Sequence, residues 1–332
     1  MKVFGIDRYK GEVRAAEAVE PRMGERDVLV RVHAASANQL DVKLAEGEFR
    51  TLLRYDLPLI LGHDLAGVVE AVGAEVTRFA VGDEVFGRPA DFRIGTFAER
   101  IAVAEADLAL KPASLSMVEA AALPLVALTA WQALVERGRI GAGTRMLIHG
   151  GSGGFGSIAI QLARHLGAHV ATTASGSNTE WLRELGADEV IDYRSQDFEA
   201  LLSGYDLVVD GIGGKNLEKS LHVLRAGGQA IGIAGPPDPA FARRIGLNPG
   251  LRLAVAGLSA KVRRQAKRLG VGYSFLFMHA DGRQLEEIAA LVDRGSLRPV
   301  VGQVFPFSET PAALRALERG GVRGKVVVAM TG

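Results

Sequence analysis

Cysteine is missing altogether from the 332 residues. Its absence excludes disulfides, thiol nucleophiles and every thiolate metal site. Net charge is nearly missing too, since 39 Lys+Arg against 38 Asp+Glu leave +1. That balance gives no reason to expect a nucleic-acid or membrane partner. No run of about 18 uncharged apolar residues occurs, so no transmembrane helix is expected. The opening residues, MKVFGIDRYKGEV, read as strand and turn without the apolar core of a secretory signal, which points to a cytoplasmic protein. What remains is a folding composition, 48% apolar, long enough for about two domains.

Residues 1 to about 112 hold short β-type runs such as DVLVRVHAAS, LAGVVEAVG and DEVFGR, broken by Gly and Asp, as in a small β-rich unit. Beyond Pro112 the period changes. Ser116 and Glu119 form a capping-box pattern that opens helices. From Arg145, short apolar strands (RMLIH, HVATTA, DEVIDY, DLVVDGI, QAIGIAG, VGYSFLFM) alternate with helical stretches. That alternation predicts a parallel sheet covered on both faces. The tail returns to strand–helix–strand and is expected to complete the first domain, leaving the second as an insertion. We therefore place the boundaries at 1–115 with 296–332, and at 116–295. The irregular stretch 236–270 is basic, from Arg243 to Arg268. It suits either an anionic partner or substrate lid, or a solvated helix face with loops.

The segment RMLIHGGSGGFGSIAIQLARHLGAHVATTASGSN carries the clearest chemistry. A strand, a tight glycine turn and a helix aim backbone N–H groups and a helix N-terminus at one point, which attracts phosphate. In this reading Gly151 permits the turn, Gly153 lets a pyrophosphate approach, and Gly156 packs the helix against the strand. Ser152, Gly154 and Phe155 complete the loop. No acidic residue lies between Gly151 and Thr179, whereas an NAD site uses one on the ribose hydroxyls. Ser175, Ser177 and Asn178 can instead hydrogen-bond a 2′-phosphate without repelling it, with Arg194 as a nearby source of charge. NADPH is the expected cofactor.

NQLDVKLAEG, LILGHDLAGVVEAVG, FAVGDEVFG, GTFAERIAV, AAALPLVALTAWQAL, the glycine loop and LGADEVIDY occur in the order seen in the medium-chain dehydrogenases/reductases, and across essentially the whole chain. Within that superfamily the sequence resembles the zinc-independent quinone oxidoreductase branch, including reticulon-interacting oxidoreductases. The resemblance implies an α/β fold: a GroES-like β-rich catalytic domain from both chain ends, and a Rossmann doubly wound parallel-sheet domain between. It implies a homodimer as well. Zinc-dependent members place ligands at the positions matching Asn38, His63 and Leu125. Only the histidine survives here, and one imidazole is not the three-ligand set that a catalytic zinc needs. No metal is therefore expected.

Without a metal Lewis acid, quinones and α,β-unsaturated carbonyls fit best as acceptors, because conjugation carries the developing charge to oxygen. Asn38 can donate an amide N–H to that oxygen, and its family equivalent faces substrate; an asparagine holding a turn is the plain alternative. Tyr55 can donate a proton or simply pack. Asp41 and Lys43 fit a surface ion pair. The resemblance further assigns cofactor contacts to Thr129, to Gly151 through Gly156, to Ser175, Asn178 and Tyr193, and to the strand ends Asp210–Gly211 and Ile233–Ala234. Arg323 and Lys325 match a terminal segment near the site. Two other readings stay open: a 2-enoyl thioester reductase, whose phosphorylated carrier would meet the basic stretch, and an NADPH-binding interaction or regulatory protein.

Overall fold

The structure is a computed structural model and describes residues 1–51 and 53–330. The first stretch of chain forms β1 (Lys2–Ile6), β2 (Arg14–Glu17), β3 (Asp27–Ala37), α1 (Gln39–Ala45), β4 (Leu59–Ile60), β5 (Asp64–Val72), β6 (Glu84–Gly87), β7 (Arg100–Ala104) and β8 (Leu108–Leu110). Then come α2 (Met117–Ala121) and α3 (Pro124–Trp131). The middle alternates as β9 (Arg145–His149), α4 (Gly154–His165), β10 (His169–Ala174), α5 (Thr179–Leu185), β11 (Glu189–Asp192), α6 (Phe198–Leu201), β12 (Tyr205–Asp210), α7 (Gly214–Val223) and β13 (Leu224–Gly232). It continues through α8 (Pro239–Arg244), α9 (Pro249–Leu258) and α10 (Ala260–Arg268) to β14 (Gly272–Phe275). The tail adds α11 (Gly282–Asp293), β15 (Val301–Pro306), α12 (Thr310–Arg319) and β16 (Lys325–Ala329).

Two compact units result: Met1–Leu128 together with the chain from His279 onward, and Thr129–Met278. In the first, β15-β16-β3-β5-β6-β8 form one sheet with β7 also on β3, and β2-β1-β4 form a second. Pairing is antiparallel except between β15 and β16. Alternation along β3 buries Val28, Val30 and Val32, which face Phe97, Val103 and Leu108 in one core. The tail strand β16 pairs with β3, Val326 opposite Ala37 and Val328 opposite Ala35. A strand from late in the chain thus joins the sheet built from its first part.

The second unit is a six-stranded parallel sheet in the order β11-β10-β9-β12-β13-β14. Counting from β9, this is 3-2-1-4-5-6, the Rossmann order, in which the strand order reverses beside the first strand and opens a crevice at the carboxyl ends. The strands are buried almost end to end, as in Met146–Ile148 and Val208–Asp210, because helices cover the faces of a parallel sheet.

The boundaries differ from those expected. The Ser116/Glu119 capping box forms, but α2 packs on β3, β5 and β16 of the first unit. At the far end, α11 lies on β8, so closely that a Cβ on Gly282 would stand 2.3 Å from the Leu108 carbonyl oxygen. Asp293, ending α11, accepts from the Ser114 hydroxyl at 2.8 Å. A helical period marks a helix but not the sheet that helix will cover, so both edges of the insertion were set too wide.

Candidate functional site

At the carboxyl end of β9 the chain reverses in the left-handed region at Gly150, φ +72°. The turn residue is therefore Gly150 and not Gly151. Gly151 serves close packing instead: a Cβ there would meet the Thr172 hydroxyl oxygen at 2.3 Å. Gly156 does what its spacing predicted, since its Cβ would strike the Gly150 carbonyl oxygen at 2.4 Å and the Gly151 Cα at 2.5 Å. Gly153 is open, the nearest atom to its Cβ position being the Gly150 oxygen at 3.5 Å. Gly153 also stands at the N-cap of the twelve-residue α4, where no side chain caps the helix. The first intrahelical bond runs from Ser157 N to Gly153 O at 3.0 Å. The amides of Gly154, Phe155 and Gly156 therefore point out of the helix end without intrahelical acceptors. Three aligned donors with a positive helix dipole behind them, approached over a side-chain-free glycine, fit a pyrophosphate.

The next strand end holds the polar loop. Asn178, buried, donates from Nδ2 to Ser175 Oγ at 2.9 Å, and Ser175 and Ser177 hydroxyls lie 3.3 Å apart. Sequence reasoning missed one group here. Asp192, ending β11, brings its carboxylate to within 2.6 Å of the Cβ position of Gly176. An acid absent from the loop in sequence is thus delivered by the neighbouring strand. The parallel pairing of β10 with β11, which sets Ala174 opposite Asp192, was the signal that could have found it. The same strand end delivers Tyr193, 60% exposed, with the Arg194 guanidinium 5.9 Å from its ring centre.

Beyond β9, Asp210 is fully buried, and its carboxylate accepts from Ile212 N at 2.6 Å, Gly213 N at 2.7 Å and Asn216 Nδ2 at 3.2 Å. It shapes the turn that carries Gly211 rather than offering a free carboxylate. Ile233 follows β13 and is tied back by Ile233 N to Asp210 O at 2.8 Å; Ala234 next to it is exposed. Under this edge sits His149, which hydrogen-bonds the Thr173 hydroxyl at 3.0 Å and the Ser220 hydroxyl at 2.9 Å. Burial pushes its pKa down to about 4, so the ring is neutral. Thr129, the first residue of this unit, is 6% exposed.

In the first unit Asn38 and Lys325 belong to one buried network. Asp64 Oδ2 accepts from Ser36 Oγ at 2.7 Å and Asn38 Nδ2 at 2.9 Å, and Asp64 Oδ1 accepts from Leu125 N, at the start of α3, at 2.8 Å. Lys325, fully enclosed, donates to Asn38 Oδ1 at 2.5 Å and to Ala37 O at 3.0 Å, and lies 3.4 Å from Asp64 Oδ2. Burial lowers the Lys325 pKa, against the opposing pull of Asp64 and Asp41. Beside it, Asp41 is fully buried and accepts from Asn38 N at 2.8 Å and Gly62 N at 3.1 Å, and pairs with His63 Nδ1 at 2.6 Å.

This geometry bears on four expectations. Both Nδ2 protons of Asn38 are engaged, by Asp64 and by Ser36 O at 3.2 Å, so none is left for a substrate oxygen. All three Lys325 protons are used within the network, while Arg323 stands exposed in the turn before β16. Asp41 is no surface partner of Lys43, which pairs with Glu48 at 3.4 Å. Tyr55 packs against the core and lies 5.2 Å from the Phe92 ring; its hydroxyl accepts from Phe92 N at 3.4 Å, and burial pushes its pKa up to about 12. At the zinc-matching positions the donor set is His63 alone, with Asn38 committed elsewhere and Leu125 offering a backbone amide. No group of three His, Cys, Asp or Glu suited to a metal occurs among the described residues.

Two family models match: the alcohol dehydrogenase GroES-like domain over residues 24–113 and a zinc-binding dehydrogenase domain over 185–328. The chain is 38% identical over 322 residues to the mitochondrial NAD(P)H oxidoreductase RTN4IP1 of Mus musculus, covering 91% of this chain and 81% of that protein. It is 35% identical over 334 residues to the chloroplastic NADPH-dependent alkenal/one oxidoreductase of Arabidopsis thaliana, covering 98% and 76%. Among solved structures, the quinone oxidoreductase from Coxiella burnetii superposes with a TM-score of 0.81 at 30% identity, over 100% of this chain and 99% of that one.

Proposed function

The chain belongs to the quinone oxidoreductase branch of the medium-chain dehydrogenases/reductases and is an oxidoreductase; from that premise we propose that it reduces quinones or α,β-unsaturated carbonyls with NADPH and without zinc. The observation that carries the reading is the uncapped N-terminus of α4 standing over the open Gly153. The names of the relatives support it, one being NADPH-dependent on alkenals and enones and another a quinone oxidoreductase. NADPH, when bound, supplies a hydride. The protein's part is to hold and orient: the Gly154–Gly156 amides for the pyrophosphate, and Ser175, Asn178, Tyr193 and Arg194 for the adenosine end. Gly211, Ile233 and Ala234 serve as backbone walls at the strand ends, with Thr129 beside the reacting ring. On the acceptor side, Asn38 fixes the β3–α1 junction from inside the Lys325–Asp64 network and does not itself donate to substrate. The Tyr55 hydroxyl stays protonated across the physiological range, so it can donate a hydrogen bond while remaining a poor acid.

The test is to follow NADPH and NADH oxidation with a panel of quinones, enones and enoyl thioesters, with and without chelator. The reading expects turnover of quinones or enones, faster with NADPH and indifferent to chelator. Activity lost on chelation, or binding of NADPH with no hydride transfer to any acceptor, overturns it. A homodimer and a cytoplasmic location complete the proposal, checked by light scattering and by cell fractionation.

A further inference from the structure

Between Asp238 and Asp281 the chain contains no acidic residue, yet it holds eight of its Lys and Arg. A net charge of +1 for the whole chain hides this segregation. The segment folds as α8, α9 and α10 between β13 and β14. On α10, Val262 and Ala266 turn inward, one helical turn apart, and α10 packs on β14 and α7. Arg264, Lys267 and Arg268 face solvent. Of the cations on this helix, Lys261 reaches a carboxylate, Glu218 at 2.5 Å; none pairs with Arg264, Lys267 or Arg268 among the described residues. On α9, Val255 is buried, while Leu253 is 77% and Leu258 64% exposed, with Ala254 and Gly257 exposed between them.

We propose that this α8–α10 arm is a docking surface for an anionic lipid bilayer. The argument is one of charge and apolar complementarity together. A polyphosphate or a purely acidic peptide would neutralise the cations and leave Leu253 and Leu258 in water. A second copy on a two-fold axis would set the same acid-free segment against itself. A headgroup layer takes both, with phosphates at the cations and acyl chains at the leucines, as for helices that lie in the interface plane. No helix among the described residues is long and apolar enough to cross a membrane, so the mode is peripheral. The inference does not rest on the hydride-transfer reading.

The experiment is flotation of the purified full chain, without nucleotide, on vesicles of phosphatidylcholine alone and on vesicles enriched in phosphatidylglycerol. Binding should be confined to the anionic vesicles and fall steeply as salt rises. Each cation is worth about fivefold, so the triple variant Arg264→Gln/Lys267→Gln/Arg268→Gln should partition about a hundredfold more weakly. Leu253→Ser/Leu258→Ser should also weaken binding while keeping its salt dependence. Circular dichroism and NADPH binding should match the parent in both variants. Three results overturn the proposal: equal partition to neutral vesicles, no flotation with anionic ones, or undiminished binding by the triple variant. A dimer that Leu253→Asp converts to monomer would also overturn it, since the face would then belong to a second copy.

Discussion

One buried cluster of the GroES-like unit and one helix end of the Rossmann unit treat polar groups in opposite ways. In the GroES-like unit, Asn38, Asp41, Asp64 and Lys325 spend their hydrogen bonds on one another and on the backbone. In the Rossmann unit, the end of α4 is left uncapped, with a glycine where a capping side chain would sit. A closed network fixes a shape, since losing one member strands the buried group it held. An open one advertises for a ligand. The residues that look most reactive in sequence, an asparagine and a lysine at family positions, thus hold one another, while the featureless glycines leave a helix end without a side-chain cap.

The most forceful way to break this comparison is Lys325→Met. It strands Asp64 without its cation and should cost about 3–5 kcal/mol in denaturant unfolding, partly recovered by adding Asp64→Asn. NADPH affinity of the folded variant should hardly move; a weakened affinity would put Lys325 among the cofactor contacts.

The second test contrasts Lys325 with His149, an ionisable group of the Rossmann unit held neutral by burial. Its folded pKa, about 4, lies below the ordinary 6.5. The unfolded chain therefore takes up the proton first, and stability falls as pH drops from 6.5 towards 4, by about 3 kcal/mol in all. The His149→Gln variant should flatten that part of the pH–stability curve. An unchanged slope would mean that other groups carry it.

Two alanines sharpen the glycine argument. Gly156→Ala forces a Cβ into backbone and should destabilise by about 1–3 kcal/mol. Gly153→Ala should leave the melting temperature near the parent value but raise the Kd for NADPH, because its methyl group enters the open space in which we propose the pyrophosphate lies. Equal thermal losses in the two would sink the distinction.

The smallest expected effect concerns nucleotide choice. Asp192→Asn removes a carboxylate beside Gly176 and should shift the NADPH-to-NADH preference several-fold towards NADPH, about 1 kcal/mol for a half-buried charge at the protein surface. Arg194→Ala should shift it the other way, measured as the ratio of the two kcat/KM values.

How much was legible follows from the range of each interaction. The glycine loop, its helix and the strands around it lie within about thirty residues, and their periods are local. Asp192 lies on the next strand, and only the pairing of β10 with β11 shows that it reaches the loop. Lys325 and Asn38 stand 287 positions apart, and no pattern near either announces that one saturates the other. The edges of the inserted domain failed for the same reason at α2 and α11.

By itself the sequence determined what depends on composition and near neighbours: the absence of thiol chemistry, the alternating parallel sheet, and the glycine turn that opens a helix. Tertiary structure alone decided which polar groups remain free, because a hydrogen bond is spent only when a partner arrives, and here the partners come from the far end of the chain.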